Sequence, residues 1–542
     1  MQQLLFDGFS QPNRSGKPGQ VNYFCERPYQ TEARETIEDS FRKHDSVLVE
    51  IATGLGKTEI FTQLIKDWDK GRCLVVAPYI QLIGQASKKI FQRTGEQPGV
   101  EQAKHWSVET PWGRSKYIVG SKDTLLAGEP KRYERIRDVG LLVIDEAHLS
   151  ITKGWKELID YYRNNGAKVL GVTATAKRHD KKSMANIYDD CVYQYGITDA
   201  VPDGWLVPAL TDCIQLESLD LSEVSSTGTV FGRDFNRHEL NGLLERWETI
   251  FEIADITARE TKDSKTVVYC SSVAEAKMVA ERLVDSYGIK ADWIASDTSR
   301  CTPQRRREVL QSFQEDRDGL THVCNVGILT TGWDYPALEC IVMARPTKSK
   351  ALYTQIFGRG TRPLAGVVDF DGSDAEARKQ AIANSKKPHF RMIDLVDASL
   401  AHKIITSVDV MGGHLGEEVV NRAREIILKD EGLQEIDEAL AEANKALAIE
   451  REEEERNERA RVEAIANYRK IRVEHVGSAQ AGVRKKKRGA RMLFGKFKGM
   501  LVEDIPTWYL EGCASGKPYI AHKWLSSAIR KEVDKRRKMG GV

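Results

Sequence analysis

The 542-residue sequence has no C-x-x-C pair, no unbroken apolar run long enough to cross a membrane, and almost no net charge. Its nine cysteines stand far apart, at 25, 73, 191, 213, 270, 301, 324, 340 and 513. That spacing offers no zinc knuckle or redox dithiol, so no zinc is expected and the thiols read as reduced, mostly buried side chains of a cytoplasmic protein. The polar start, MQQLLFDGFSQPNRSGKPGQ, lacks the charged-then-apolar layout of a signal peptide and is expected to form a mobile arm over residues 1–21. With no spanning run, no membrane association is expected. The 81 lysines and arginines face 79 carboxylates, a balance of +2, so any surface for a polyanion must be a local patch. From Glu417 to Val476 there is one glycine and no proline. Tight turns are scarce in such a stretch, and its Glu, Ala, Arg and Leu predict one or two long charged helices.

What is present points to several cores, since 41% of the residues are hydrophobic. Short β-branched runs (SVLVEIATG, RCLVVAP, VGLLVIDEAH, AKVLGVTAT) alternate with amphipathic stretches, the mark of a parallel sheet covered by crossover helices. A second series follows Pro208: KTVVYCSS, KADWIAS, LTHVCNVGILTTGWD, LECIVMARP and HFRMIDLVD. Two α/β domains are therefore expected, at 22–205 and 206–410, joined by the turn-rich DAVPDGWLVPALTD. A charged helical extension over 411–483 and a basic linker with a small α/β module over 484–542 complete the expected organisation.

The segment ATGLGKTE, Ala52 to Glu59, falls between a strand and a helix. Glycines there let backbone N–H groups converge on a phosphate, and the helix dipole adds positive potential. Thr53, Gly54 and Gly56 would shape the loop, Lys57 would reach the β and γ phosphates, and the Thr58 hydroxyl would bind Mg²⁺. Taken alone, the stretch also fits an ordinary glycine-rich turn. About ninety residues on, LLVIDEAH ends an apolar strand with Asp145, Glu146 and His148. Adjacent carboxylates at such a strand end suit phosphoryl transfer, Asp145 holding Mg²⁺ and Glu146 orienting and deprotonating the attacking water. Helix capping is the plainer alternative.

Together these motifs resemble superfamily-two helicases or translocases of the DEAH-box kind, built from two RecA-like domains, over about Arg27 to Asp397. RPYQTEA resembles the adenine-reading element, which implies Gln30 as the base contact with Arg27 beside it. VVAPYIQLIGQ and VGSKDTL, with Pro78, Gln81 and Ser121, occupy places where the family touches a nucleic-acid backbone. TAT at 173–175 corresponds to the element coupling hydrolysis to movement. VGILTTGWDYP implies phosphate contacts for Thr330, Thr331 and Gly332, with Asp334 facing the nucleotide. QIFGRGTRP is similar to the motif that crosses the interdomain cleft. The resemblance puts Gln355 near the water and Arg359 and Arg362 toward the γ-phosphate, with Arg362 as the finger and Arg359 sharing the phosphate or tying the domains together. In isolation these arginines would read as a solvated helix face.

The resemblance implies ATP and Mg²⁺ as ligands, and DNA, single-stranded or forked, as the polymer. The wording TTGWDYP…RPTKSKALYTQIFGRGTRP is closer to RadD-like repair helicases, restriction-enzyme translocating subunits and phage-encoded helicases than to RNA-processing DEAH proteins. Those RNA enzymes carry an arginine where Ile356 stands and a serine where Thr173 stands. A cysteine cluster after the second lobe, part of the RadD pattern, is missing. A bacterial or phage-infected cytoplasm and a role in replication or repair are the matching expectations. The basic run RKKKRGAR, with Lys485, Lys486 and Lys487, reads as a phosphate contact or as a flexible linker. In LFGKFKGMLVEDIPTWYLEGC, lysines interleaved with aromatics suit strand binding by stacking, or else a small core with solvated lysines. A replication or repair partner for this module is the further possibility. Duplex translocation without unwinding, RNA unwinding, and a partner-gated ATPase switch remain as alternative functions.

Overall fold

The computed structural model describes residues 26–103, 105–107, 115–174, 184–229, 232–262, 264–330, 332–370, 374–398, 404–412, 415–429, 434–476, 490–493, 496–515 and 523–539. Thr331, Thr175, Phe494, the basic run Lys485 to Lys487 and the arm at 1–21 lie outside them. The chain divides into two compact units, 1–451 and 452–542.

The first unit holds two seven-stranded sheets, one in each of two lobes. In lobe 1 the strands are β1 (Ser46–Ile51), β2 (Arg72–Ala77), β3 (Gly99–Glu101), β4 (Tyr117–Ser121), β5 (Val139–Asp145), β6 (Lys168–Thr173) and β7 (Asp190–Tyr195), in the spatial order β3-β4-β2-β5-β6-β1-β7. Every pairing is parallel. Parallel strands need covered faces, and these runs are apolar on both. Val47, Val49, Val75 and Val143 enter one core while Leu48, Leu74, Val76 and Leu142 enter the other, following the two-residue period of a strand. The helices α1 (Pro28–Ser40), α2 (Lys57–Asp67) and α3 (Ile80–Thr94) pack in this lobe.

Lobe 2 repeats the plan. Its sheet contains β8 (Ala209–Leu216), β11 (Thr266–Tyr269), β12 (Ala291–Ala295), β13 (His322–Val326), β14 (Cys340–Met343), β15 (Phe390–Asp397) and β16 (Gln434–Glu435). An antiparallel hairpin, β9 (Ser226–Thr229) with β10 (Gly232–Phe235), stands between the first two of these in sequence. The sheet order is β12-β13-β11-β14-β15-β8-β16, parallel except for β16. The charged stretch after 411 does not stand apart at its start. Val419, Val420, Ala423, Ile427, Ile436, Leu440 and Ala443 are buried in the core of this unit.

The second unit, taken by itself, has its own small core of Met492, Phe497, Val502, Ile505, Leu510, Cys513, Leu525, Ile529 and Val533. Its described part pairs Arg491 with Leu501 in one antiparallel bridge and adds the helices Thr507–Ala514 and Lys523–Met539. Phe497 is a core residue, whereas Trp508 is 60% exposed, so the interleaved aromatics divide between the two readings.

A buried histidine makes lobe 2 sensitive to acid. His322 on β13 is fully buried, its ring nitrogens bonded to Thr261 Oγ1 at 2.8 Å and Thr321 Oγ1 at 2.9 Å. Burial pushes its imidazole down to about 4, from an ordinary 6.5. Between these values the unfolded chain binds a proton that the folded chain refuses, so stability falls as pH drops from 6.5 toward 4, by up to ~3 kcal/mol. Denaturant unfolding at pH 7 and 4.5 is expected to show this loss, and a folded His322→Gln variant should lack that share of it.

Candidate active site between the lobes

Parallel sheets collect functional groups beyond the carboxyl ends of their strands, and both lobes do so here. β1 runs into the loop 52–56, which opens α2. Gly54 and Gly56 adopt φ +92° and +78°, a region that disfavours side chains. Lys57, at the first position of α2, places Nζ 3.3 Å from the Ile51 carbonyl. Burial pulls its ammonium below the ordinary lysine range, against the attraction of Glu146 and Asp145 and reinforced by repulsion from Arg359 and Arg362. Lys57 is thus grouped electrostatically with residues from β5 and from the far lobe.

β5 ends at Asp145. Burial and the adjacent Glu146 hold the Asp145 carboxyl above the usual range, opposed by Lys57. Glu146 has φ 53° and ψ 53°, a left-handed backbone that costs a non-glycine residue roughly 1 kcal/mol or more. Its Oε2 lies 3.4 Å from His148 Nδ1, which also meets Thr173 Oγ1 at 3.0 Å. Thr173 ends β6, the strand between β5 and β1, so this chain of polar groups links the carboxyl ends of two neighbouring strands.

Lobe 2 closes the site with the helix Lys350–Gly360, capped by Ser349 Oγ, which accepts the Leu352 N–H at 3.3 Å. The helix is seated directly on the loop. A Cβ added at Gly358 would lie 2.7 Å from Thr53 Cβ, and one at Gly54 would lie 3.0 Å from Arg362 Cγ. Only glycines permit that approach. Gln355 is 2% exposed with neither amide atom hydrogen-bonded. Such a buried, unsatisfied amide is costly unless something arrives to meet it.

The two arginines differ in their partners. Arg359 donates to the carbonyls of Trp333 and, at 2.8 Å, Thr330. Both belong to lobe 2, so a tie between lobes is not among its hydrogen bonds. Burial, and then the like charge of Arg362, push Arg359 down to about 10. Arg362 pairs with Asp334 and donates to the Trp333 carbonyl at 3.3 Å.

Gln30 is buried and turned onto the loop, its amide nitrogen donating to the Leu55 carbonyl at 3.0 Å and its oxygen accepting from Arg27 N at 3.1 Å. Arg27 reaches into lobe 2, with Nε 2.8 Å and Nη2 3.1 Å from the Asp369 carboxylate. Among the expected backbone-contact residues, Pro78 precedes α3 and Gln81 lies in its first turn. Ser121 caps the short helix 122–125 by accepting from Thr124 N at 3.2 Å. The Thr330 carbonyl is taken by Arg359, and Gly332, at φ +72°, gives its carbonyl to Gln85 of α3. Sequence reasoning missed Gln85 and Asp369. Gln85 closes the stretch VVAPYIQLIGQ but was not singled out, and Asp369 sits in no recognisable spacing; each is drawn in by the contact between lobes.

Comparison with known proteins agrees with this arrangement. Residues 24–178 match the family model "Type III restriction enzyme, res subunit", and residues 246–363 match "Helicase conserved C-terminal domain". The two matches fall one on each lobe, the first on the strands that carry the phosphate-type loop and the second on the helix that meets it. A Saccharomyces cerevisiae protein, IRC3, whose name marks it as a candidate ATP-dependent helicase, is 31% identical over 377 residues, covering 64% of this chain and 52% of that one. The Escherichia coli type I restriction enzyme EcoAI endonuclease subunit is 26% identical, covering 62% and 44%. The enterobacteria phage T4 ATP-dependent DNA helicase uvsW is 22% identical, covering 51% and 53%. The helicase-like match thus spans about half the length of these relatives.

Glu146→Gln is expected to abolish turnover while sparing nucleotide binding, and Lys57→Ala to abolish turnover. Equilibrium binding of a fluorescent ATP analogue beside phosphate release would separate the two effects. Normal phosphate release from either variant would remove that residue from the site.

Proposed function

We propose that this chain hydrolyses ATP between its two lobes and uses the cycle to move along DNA, separating strands as it goes. The observation that carries the reading is the seating of Arg362 of lobe 2 against Gly54 of the phosphate-type loop of lobe 1. A triphosphate on that loop would meet a cation from the opposite lobe, the arrangement that stabilises charge developing during phosphoryl transfer.

The donor set suits Mg²⁺. Thr58 and Asp145 offer hard oxygen ligands, and Asp145 is a buried carboxylate whose protonation a divalent cation would oppose. Bound there, the ion would neutralise charge on the β and γ phosphate oxygens. The chain's own groups do the rest. Lys57 binds the β and γ phosphates, Glu146 takes the proton of the attacking water, and the unsatisfied Gln355 amide orients that water. Gln30 and Arg27 stand at the base, and Asp334 faces the nucleotide. Asp145 to His148 form a DEAH-type box in this reading.

Because both lobes would hold one triphosphate, its binding draws them together and its hydrolysis releases them. Segments beside the cleft, including Pro78, Gln81, Ser121, Thr330, Thr331 and Gly332, would grip a sugar–phosphate backbone in alternation. DNA is favoured by the motif wording and by the names of the restriction-enzyme and phage relatives. The basic run at 484–491 would add a second hold on the polymer.

Steady-state hydrolysis is to be measured without nucleic acid and with single-stranded DNA, forked DNA, blunt duplex and single-stranded RNA, with strand displacement followed in parallel. Stimulation by single-stranded or forked DNA with displacement is expected. Stimulation by blunt duplex without displacement would replace unwinding by duplex translocation, and stimulation by RNA alone would change the polymer. No stimulation by any polymer would favour a partner-gated switch.

Two further outcomes are expected. Arg362→Ala should keep nucleotide affinity and lower hydrolysis by ~10³ or more. Removal of 484–542 should weaken DNA binding and flatten its salt dependence while leaving basal hydrolysis intact.

A further inference from the structure

Lys387 is a buried ammonium that nothing in the preceding account uses. It lies in the loop before β15 and is 2% exposed. Its Nζ donates to two backbone carbonyls, Pro336 at 2.7 Å and Arg362 at 2.9 Å. Among the described residues no carboxylate pairs with it. Burial and then the like charge of Arg362 push it down to about 7, partly opposed by Glu339. Placing an amine there is costly, so what it holds matters.

The two carbonyls belong to the two segments that define the proposed finger. Arg362 is the finger itself. Pro336 lies two residues beyond Asp334, the partner of the Arg362 guanidinium, in the loop between β13 and β14. One ammonium therefore sets the spacing between the backbone of the arginine and the backbone of the loop that steers its side chain. A second clamp lies one residue earlier, where the Thr361 carbonyl accepts from Val207 N at 2.7 Å. The platform under Lys387 is stiff. β15 pairs with β14 and β8, the Phe390 N–H bonds the Pro208 carbonyl at 3.0 Å, and a Cβ on Gly360 would fall 2.2 Å from the Phe390 ring.

We propose that Lys387 is a positioning residue for the arginine finger, holding the Arg362 and Pro336 carbonyls so that the guanidinium rests on the phosphate loop. The assignment rests on the reading of the cleft as an ATPase site. It acts at a distance from the reacting atoms, and misplacement of a catalytic group by about 1 Å costs on the order of a hundredfold. Loss of Lys387 should therefore lower kcat and leave nucleotide binding largely in place.

The test uses the full chain with single-stranded DNA present, comparing kcat and the KM for ATP in wild type, Lys387→Met, Lys387→Gln, Lys387→Arg, Arg362→Ala and the double variant Lys387→Met with Arg362→Ala. Thermal unfolding identifies any variant that fails to fold, in which case the Gln variant, alone and with Arg362→Ala, takes the place of Met. The expected result is a fall in kcat of roughly tenfold to a hundredfold for Met or Gln, a KM within about threefold, partial recovery in Arg, and no further loss when Arg362 is already absent. An unchanged kcat, a loss confined to KM, or an equal loss in the Arg362→Ala background would overturn the proposal. A wild-type chain without ATPase activity, or an Arg362→Ala variant as fast as wild type, would instead overturn the reading of the cleft, and the role of Lys387 with it.

Discussion

Backbone-level contact between a helix of one lobe and the phosphate-type loop of the other is the constraint on which the site depends. Gly358 rests on Thr53 and Arg362 rests on Gly54, and each approach exists because a glycine lacks a Cβ. The same helix is also tied into a buried polar network. Tyr353 on the same helix donates to the buried Asp394 at 2.5 Å, and Asp394 also accepts from Ser407 N at 3.0 Å and Oγ at 2.9 Å. The helix is thus fixed from below by buried hydrogen bonds and from above by the loop it touches.

The same constraint relates chemistry to motion. The Arg362 charge is balanced by Asp334, which sits in the segment between Gly332 and Pro336. A phosphate at the loop would compete with Asp334 for that guanidinium, and the segment it releases has its Gly332 carbonyl bonded to Gln85 of α3 in the opposite lobe. In the proposed cycle an exchange of partners at one arginine would loosen or tighten a contact between lobes, the kind of small local shift that packed interfaces turn into discrete rearrangement.

Much of this was legible in the sequence, for physical reasons that also explain the gaps. Strands buried on both faces are continuous apolar runs, so SVLVEI, VGLLVID and HVCNV announced themselves, and the glycine spacing of ATGLGKTE follows from the backbone conformation the loop must adopt. Charge hid the rest. The stretch from 417 carries Glu and Arg on its outer surface, yet buries Val419, Ala423 and Ile427, and the two-residue strand Gln434–Glu435 has no side-chain pattern to betray it. At the cleft, chemistry between like residues was invisible. Arg359 and Arg362, three positions apart, share the Trp333 carbonyl as an acceptor, and what separates them is the Thr330 carbonyl for one and the Asp334 carboxylate for the other, which no spacing along the chain reveals. Long-range pairs such as Arg27 with Asp369 have no signature along the chain.

Arg27 of that last pair also lies over a tryptophan. Trp205, in the segment joining the lobes, carries the Arg27 guanidinium 5.1 Å and the Arg378 guanidinium 3.8 Å from its ring centroid, and Tyr29 meets it edge-on with centroids 5.6 Å apart. Arg27 comes from lobe 1 and Arg378 from lobe 2, so the electric field across this indole depends on how far apart the lobes stand. Indole emission responds to such a field. Any change in the spacing of the lobes would therefore be felt at this one of the chain's ten tryptophans, and a variant that keeps Trp205 alone would report it without an attached dye.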